Sequence, residues 1–100
     1  MPKTNQQVIE EIKTHIRKRG GEYRDWYVGV GTKGHEALFS RHRVREKGDR
    51  WICRKASTPQ AACEIRDHFV RELSADGEGG PGAKAARMVY AYRKASHTQP

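Results

Sequence analysis

The segment from Arg41 to Lys55 concentrates basic side chains around one tryptophan, Trp51. Basic side chains neutralise phosphates and an aromatic ring stacks on a base, so this combination is typical of a nucleic-acid surface. The alternative is a charged turn beside a strand, with Trp51 in the hydrophobic core. The candidate nucleic-acid-binding residues are Arg41, Arg43, Arg45, Lys47, Arg50, Arg54 and Lys55.

Glu64 and His68 are four residues apart, so on a helix they lie on one stripe. A carboxylate at the edge of a buried helix face can hold a hard divalent cation such as magnesium, with His68 as a base or second ligand. The alternative is a solvated pair at the edge of the helix.

Neither the cysteines nor the glycines of the chain form a known binding motif. Cys53 and Cys63 lie in different predicted elements without CxxC or finger spacing, which argues against a disulfide scaffold and a structural zinc site. The glycine-rich run 75–86 lacks the Gly-Lys-Ser/Thr ending of a phosphate-binding loop. It therefore predicts an exposed connecting loop.

The charge of the chain favours a polyanionic partner. Twenty Lys and Arg against 12 Asp and Glu give 100 residues a formal net charge of +8, which produces a positive potential over much of the surface. We expect DNA or RNA as the partner, with an acidic protein as the alternative. No apolar stretch approaches the length of a signal sequence or membrane span, so we expect a cytoplasmic location and no membrane partner.

Apolar spacing and capping signals predict three helices. Thr4 and Gln7 have capping-box spacing at the start of an amphipathic helix over 5–19. Residues 36–42 suit a short helix, which we prefer, although alternation within 35–44 also fits a strand. The third helix begins at Pro59 and ends near residue 74.

Three strands are predicted at 24–31, 50–55 and 88–93, the first with a close backbone approach at Gly29. Residues 95–100 form a frayed, disordered tail. The alternation of helices and strands over 1–100 predicts a single domain of the α+β class, with its core at 24–93.

The segment from Trp26 to Leu73 resembles the GIY-YIG nuclease superfamily. The tripeptide Tyr27-Val28-Gly29 stands in the place of the family's second signature tripeptide, and Ala61 and Glu64 match the family's alanine and metal-binding glutamate. The matching positions, in chain order, are Tyr27-Val28-Gly29, Thr32, Leu38, His42, Ala61 and Glu64.

The resemblance implies a fold and a reaction. The fold is a small three-stranded antiparallel sheet packed with about three helices, and the reaction is hydrolysis of a phosphodiester bond. Tyr27 would act as general base or position the nucleophile, His42 would support it, and Glu64 would hold magnesium or manganese.

Two departures from the family pattern alter this expectation. The family's helix arginine should precede His42 by about one turn, where this chain has Ala37 or Leu38, and only Arg41 lies where it could replace that catalytic group. The family's first strand is missing before Tyr27. We expect the C-terminal strand to replace it beside 26–30, which gives Tyr90 the place of the first catalytic tyrosine.

These observations favour a nucleic-acid-binding domain related to GIY-YIG nucleases, with catalytic activity weak or lost. One alternative is an active, divalent-metal-dependent DNA endonuclease that uses Arg41. The other is a basic protein-interaction or adaptor domain, whose N-terminal helix or C-terminal sheet edge binds an acidic partner.

Overall fold

The computed structural model describes residues 4–20, 22–77 and 86–98. The predicted loop over 75–86 therefore lies mostly outside the described residues. Besides a short 3₁₀ helix at Tyr23–Asp25, the described residues form three longer helical segments and three strands, which confirms the predicted α+β class. In chain order they are α1 (Asn5–Arg19), β1 (Trp26–Gly31), α2 (Gly34–Glu36, continued by a π-helical turn Ala37–Arg41), β2 (Trp51–Lys55), α3 (Pro59–Asp67, continued by a π-helical turn His68–Glu72) and β3 (Met88–Arg93).

Local capping signals set the ends of α1 and the start of α3. Thr4 and Gln7 form the predicted capping box, and α1 ends at Gly20, whose φ of +87° suits a glycine. The Thr58 hydroxyl accepts a hydrogen bond from the Ala61 N–H at the start of α3, with Pro59 at the first helical position. These helices therefore begin where the sequence predicts.

The ambiguous segment 35–44 is helical rather than extended. Leu38 and His42 are four residues apart, and α2 buries both of them against the sheet. Arg43 then adopts a φ of +59° and turns the chain away from the helix. A strand would have placed Ser40 on the buried side as well, whereas its side chain is exposed.

The C-terminal strand is the central strand of the sheet. The strand order is β1-β3-β2, and β3 is antiparallel to both neighbours. The expected pairing of the C-terminal strand with β1 is therefore present, from Trp26 opposite Arg93 to Gly31 opposite Met88. As a result, β1 and β2 run in the same direction on either side of β3.

The two faces of the sheet pack against different helices. We call the face covered by α1 and α3 the aliphatic face and the face covered by α2 the tyrosine face. The buried residues of the aliphatic face are mainly Val8, Ile12, Ile16, Trp26, Val28, Ile52, Ala62, Ile65, Phe69, Val89 and Ala91. Those of the tyrosine face are Tyr27, Leu38, Val44, Tyr90 and Tyr92, together with His42.

The described parts of the predicted loop and of the predicted tail, 75–77 and 95–98, make hydrogen bonds. Residues 75–77 run beside the outer edge of β1, where the Val28 N–H donates to the Asp76 carbonyl at 2.9 Å. Residues 95–98 form a turn in which the Thr98 hydroxyl accepts from the Ala95 N–H at 2.8 Å, and Thr98 is buried. The Asp76 carbonyl and the Thr98 hydroxyl thus act as acceptors that hold the described parts of these segments. Within the described residues, no helix combines the length and apolar character that crossing a bilayer requires.

Candidate functional site

Four side chains on the tyrosine face form a buried cluster around His42. Its imidazole Nε2 lies 2.8 Å from the Tyr90 hydroxyl, and its Nδ1 lies 3.2 Å from the Tyr92 hydroxyl. The Tyr27 ring centroid is 4.8 Å from that of His42 and 5.3 Å from that of Tyr92. We call Tyr27, His42, Tyr90 and Tyr92 the tyrosine–histidine cluster.

Strand register and the short helix α2 build this cluster. Tyr90 and Tyr92 alternate along β3 and so point to the same face, and Tyr27 lies opposite Tyr92 in the neighbouring strand. Three predicted site residues, Tyr27, His42 and Tyr90, are thus brought together. Tyr92 was missed as a site residue, although its alternation with Tyr90 was the signal that could have indicated it.

The predicted close approach at Gly29 is made by the ring of Tyr90. Gly29 lies opposite Tyr90 in the register of β1 and β3. A Cβ atom at Gly29 would lie 2.6 Å from Cζ and the hydroxyl oxygen of Tyr90. The absence of a side chain at Gly29 therefore allows the phenol to cross the strand and reach His42.

Two hydrogen bonds join the His42 ring to tyrosine hydroxyls. A neutral imidazole has one N–H and one acceptor nitrogen, so one tyrosine hydroxyl donates to His42 and the other accepts from it. Burial raises the pKa of the Tyr92 hydroxyl well above its usual range, and Tyr27, Tyr90 and Asp76 raise it further. No residue of the cluster is more than 3% exposed. A general base must come within about 3 Å of the substrate atom that carries the proton, and this burial keeps substrate atoms at the surface away from the cluster.

Glu64 lies in a different layer from the tyrosine–histidine cluster. Its helix, α3, packs on the aliphatic face, and its carboxylate is exposed. The carboxylate accepts hydrogen bonds from the Asn5 amide at 3.0 Å and from the Gln60 amide at 3.4 Å. The structure therefore does not bring the predicted metal ligand together with Tyr27 or His42.

Glu64 brings a single carboxylate to the predicted metal position. Among the described residues, no three His, Cys, Asp or Glu side chains form a metal-binding group. The His68 ring packs edge-on against Phe69 with a centroid distance of 5.7 Å, and its Nε2 is buried. With one carboxylate, a bound magnesium ion would take its other oxygen ligands from water or from substrate phosphates.

Most of the predicted nucleic-acid-binding side chains are exposed. We call residues 41–50, from the last residue of α2 to the residue before β2, the basic loop. Its cations are all exposed, and Lys55 at the far end of β2 is exposed as well. The exposed cations are Arg41, Arg43, Arg45, Lys47, Arg50 and Lys55.

The half-buried acid of the basic loop is held by internal hydrogen bonds. The Asp49 carboxylate accepts from the Arg45 N–H at 2.8 Å and contacts His97 Nε2 at 2.5 Å. Burial raises the pKa of Asp49, but these hydrogen bonds and the nearby charges outweigh it and hold the pKa below its usual value. Asp49 thereby closes the turn and ties the C-terminal segment to it.

Two of the predicted cations point to the other face of the sheet. The Arg54 Nε lies 2.7 Å from the Glu11 carboxylate on α1, and its Nη1 donates to the Cys53 carbonyl at 2.8 Å. Arg50 extends toward the end of α1 at Gly20. The other exposed cations of the basic loop, Arg41, Arg43, Arg45 and Lys47, are not part of the Arg54–Glu11 ion pair.

Trp51 is half-buried and occupies the rim of the tyrosine face. Its indole N–H donates to the Glu46 carbonyl at 3.1 Å. Its ring packs edge-on against Phe39 and His35, with centroid distances of 5.1 Å and 5.4 Å. Trp51 was predicted either to stack on a base or to belong to the core. In the structure it packs at the edge of the core and keeps part of its surface in solvent.

Arg41 lines a groove that the sequence did not indicate. The groove has a volume of about 560 Å³ and lies between the end of β1 and α2. Its polar lining comes from Thr32, Lys33, Glu36, Ser40 and Arg41. Arg41 is thus placed on the outer side of α2, whereas His42 points inward to the tyrosines.

Comparisons with known proteins give no family assignment. The chain matches no family model, no curated protein and no solved structure.

Proposed function

We propose that the protein binds nucleic acid through the basic loop and that its hydrolytic activity is weak or lost. The observation that carries this proposal is the orientation of charge in the loop. Arg41, Arg43, Arg45 and Lys47 are exposed, while Asp49 is turned inward by Arg45 and His97. A polyanion approaching the loop therefore meets the exposed cations Arg43, Arg45 and Lys47, with one exposed acid, Glu46, among them.

The electrostatics of such binding are measurable. Each phosphate neutralised by Lys or Arg releases condensed counterions, so the logarithm of the affinity falls with the logarithm of salt concentration by about 0.9 per contact on duplex DNA. The net charge of +8 adds long-range attraction that speeds encounter at low salt. Affinity that depends strongly on salt is thus the signature of this function.

Two features support weak or lost hydrolysis. The tyrosine–histidine cluster is buried, so its hydroxyls do not meet a phosphodiester at the surface. Glu64 is in the layer on the opposite face of the sheet, so a cation on its carboxylate would lie apart from Tyr27. A cation that stabilises the charge of the transition state would then lie away from the residue that activates the nucleophile.

The binding half of the proposal is tested by fluorescence anisotropy with labelled oligonucleotides over a range of salt concentrations. Replacing Arg45 and Lys47 by glutamine should weaken binding about tenfold and lower the salt slope by about 2. The matched control replaces Arg17 and Lys18, two exposed cations in the last turn of α1, and removes the same charge elsewhere. Equal losses in both variants would show that only net charge matters and would refute a specific role for the loop.

The catalytic half is tested by incubating supercoiled and linear DNA and RNA with the protein in magnesium or manganese. We expect no cleavage above that of the Glu64→Gln variant. Metal-dependent nicking by the wild type that disappears in Glu64→Gln would instead identify an active endonuclease.

A further inference from the structure

Three rings form a partly exposed aromatic surface beside the basic loop. His35, Phe39 and Trp51 contact one another pairwise, with centroid distances of 5.4 Å for His35 to Trp51, 5.1 Å for Phe39 to Trp51 and 6.0 Å for His35 to Phe39. His35 is exposed, and the other two rings are half-buried. We call these three residues the aromatic patch.

The patch is held in place by two secondary-structure elements. His35 and Phe39 are four residues apart on α2 and so lie on one side of the helix. Trp51 begins β2, and its indole N–H is fixed by the Glu46 carbonyl. The rings are therefore positioned before a ligand arrives, which lowers the entropic cost of binding.

Cations frame the patch at both ends of β2. The indole contact with Glu46 brings the basic loop, including Arg45 and Lys47, next to Trp51. Lys55 alternates with Trp51 along β2 and so points to the same face of the sheet, and it is exposed. An aromatic surface between cations matches a ligand that carries flat apolar rings on an anionic backbone.

We infer that the aromatic patch stacks the bases of single-stranded nucleic acid, while the basic loop and Lys55 contact its phosphates. This inference rests on the proposed function and narrows its ligand. Single strands offer unpaired bases to aromatic side chains, whereas the bases of a duplex already stack on each other. The half-buried rings of Phe39 and Trp51 leave part of their surface in solvent for a base to stack on.

The test compares three labelled probes of about 15 nucleotides, which is long enough to span the patch and the loop. They are oligodeoxyuridylate, oligouridylate and a mixed-sequence DNA duplex, each titrated at the same salt concentration. We expect at least one single strand to bind about tenfold tighter than the duplex. Because the two single strands carry the same base, the ratio between their affinities distinguishes DNA from RNA as the source of the strand.

Substitutions in the patch separate stacking from charge. Phe39→Leu and Trp51→Leu keep apolar packing but remove the aromatic face, and each should weaken single-strand binding about five- to a hundredfold with little change for the duplex. The salt slope should stay the same, because no cation is lost. Thermal melting of each variant confirms that it is folded.

Tryptophan fluorescence supplies a second, direct readout. The chain has two tryptophans, and Trp26 is fully buried, so a stacked base should quench the emission of Trp51 alone. Trp51→Phe keeps a ring for stacking but should lose the quenching. This variant separates contact with the patch from a general effect of binding on the protein.

The outcomes distinguish this inference from the proposed function. A duplex bound as tightly as both single strands, or a single-strand preference that survives both leucine substitutions, overturns the role of the patch. Nucleic-acid binding through the basic loop would still stand in those cases. If no probe binds at low salt, both proposals fail.

Discussion

The aliphatic face packs against α1 and α3 with hydrocarbon side chains, whereas the tyrosine face packs against α2 with three tyrosines and a histidine. Both faces are equally well shielded from water at their centres. On the aliphatic face the stabilisation comes from apolar area and packing density. On the tyrosine face every buried hydroxyl and ring nitrogen requires a hydrogen-bond partner to offset the cost of its desolvation.

The difference lies in what each face tolerates. Hydrocarbon cores accept many side chains of similar volume, because no single contact has a required direction. The tyrosine–histidine cluster depends on two hydrogen bonds of fixed geometry at His42 and on a glycine that admits the Tyr90 ring. We therefore expect volume to govern the effect of substitutions on one face and hydrogen bonding or close approach to govern it on the other.

The largest effect is expected from truncating the aliphatic core. Phe69 is fully buried between α3 and the sheet, so Phe69→Ala should lower the free energy of unfolding by about 4 kcal/mol through lost contacts and a residual cavity. Urea denaturation followed by circular dichroism measures this loss. Phe39→Ala, at a half-buried ring, is the control and should lower the free energy of unfolding clearly less. Equal losses in the two variants would contradict the assignment of Phe69 to the core and of Phe39 to its edge.

Gly29→Ala tests close approach on the tyrosine face. The new Cβ would overlap the Tyr90 ring, so the phenol must shift and its hydrogen bond to His42 must lengthen. We expect a loss of about 2 to 3 kcal/mol in the free energy of unfolding.

Gly31→Ala is the matched control on the same strand. A Cβ there would lie 3.8 Å from the nearest atom of Tyr90, which is an ordinary contact. We expect a change within about 1 kcal/mol. A comparable loss at both glycines would mean that strand propensity, and not the Tyr90 contact, explains the effect.

Removing single hydroxyls tests hydrogen bonding on the tyrosine face. Tyr90→Phe leaves the buried His42 Nε2 without its partner at 2.8 Å, and should cost about 2 kcal/mol. Tyr92→Phe removes the longer 3.2 Å contact and should cost about 1 kcal/mol. Chemical denaturation of both variants and of Tyr23→Phe, at a half-buried tyrosine outside the cluster, measures the difference. A similar small cost at all three tyrosines would contradict a satisfied network around His42.

Local signals in the sequence predicted much of the fold. The capping box at Thr4 and Gln7 marks the start of α1, and Pro59 marks the start of α3, because both signals involve neighbouring residues. Gly29 was predicted to allow a close approach, although the partner that approaches it, Tyr90, is 61 positions away in the sequence. The resemblance to a nuclease family led to the correct pairing of the C-terminal strand with β1.

The arrangement of the candidate site was less predictable. Alternation shows that a strand has two faces but does not show which helix covers each face, so the separation of Glu64 from Tyr27 was not visible in the sequence. The ion pair between Arg54 and Glu11 joins residues that are 43 positions apart. Such long-range contacts decide which charged side chains face the solvent, and composition alone does not give them.

His42 on the tyrosine face and His15 on α1 differ in how their ring nitrogens are hydrogen-bonded, and this difference bears on the dependence of stability on pH. His42 has hydrogen-bond partners at both ring nitrogens, whereas among the described residues the buried Nε2 of His15 has none, and its ring packs edge-on against Trp26. Burial lowers the pKa of His15 below its ordinary value of 6.5, and the charges of Arg19 and Arg54 lower it further.

A lowered pKa in the folded state makes His15 a source of acid instability. As the pH falls below about 6.5, the unfolded chain takes up a proton at His15 before the folded chain does, so the free energy of unfolding decreases until the pH passes the folded pKa. His15→Gln removes this contribution. Urea denaturation from about pH 7.5 to about pH 5 should therefore show the variant gaining stability relative to the wild type as the pH falls. A difference that stays constant over this range would mean that His15 titrates alike in both states and that its contact with Trp26 imposes no penalty on the charged ring.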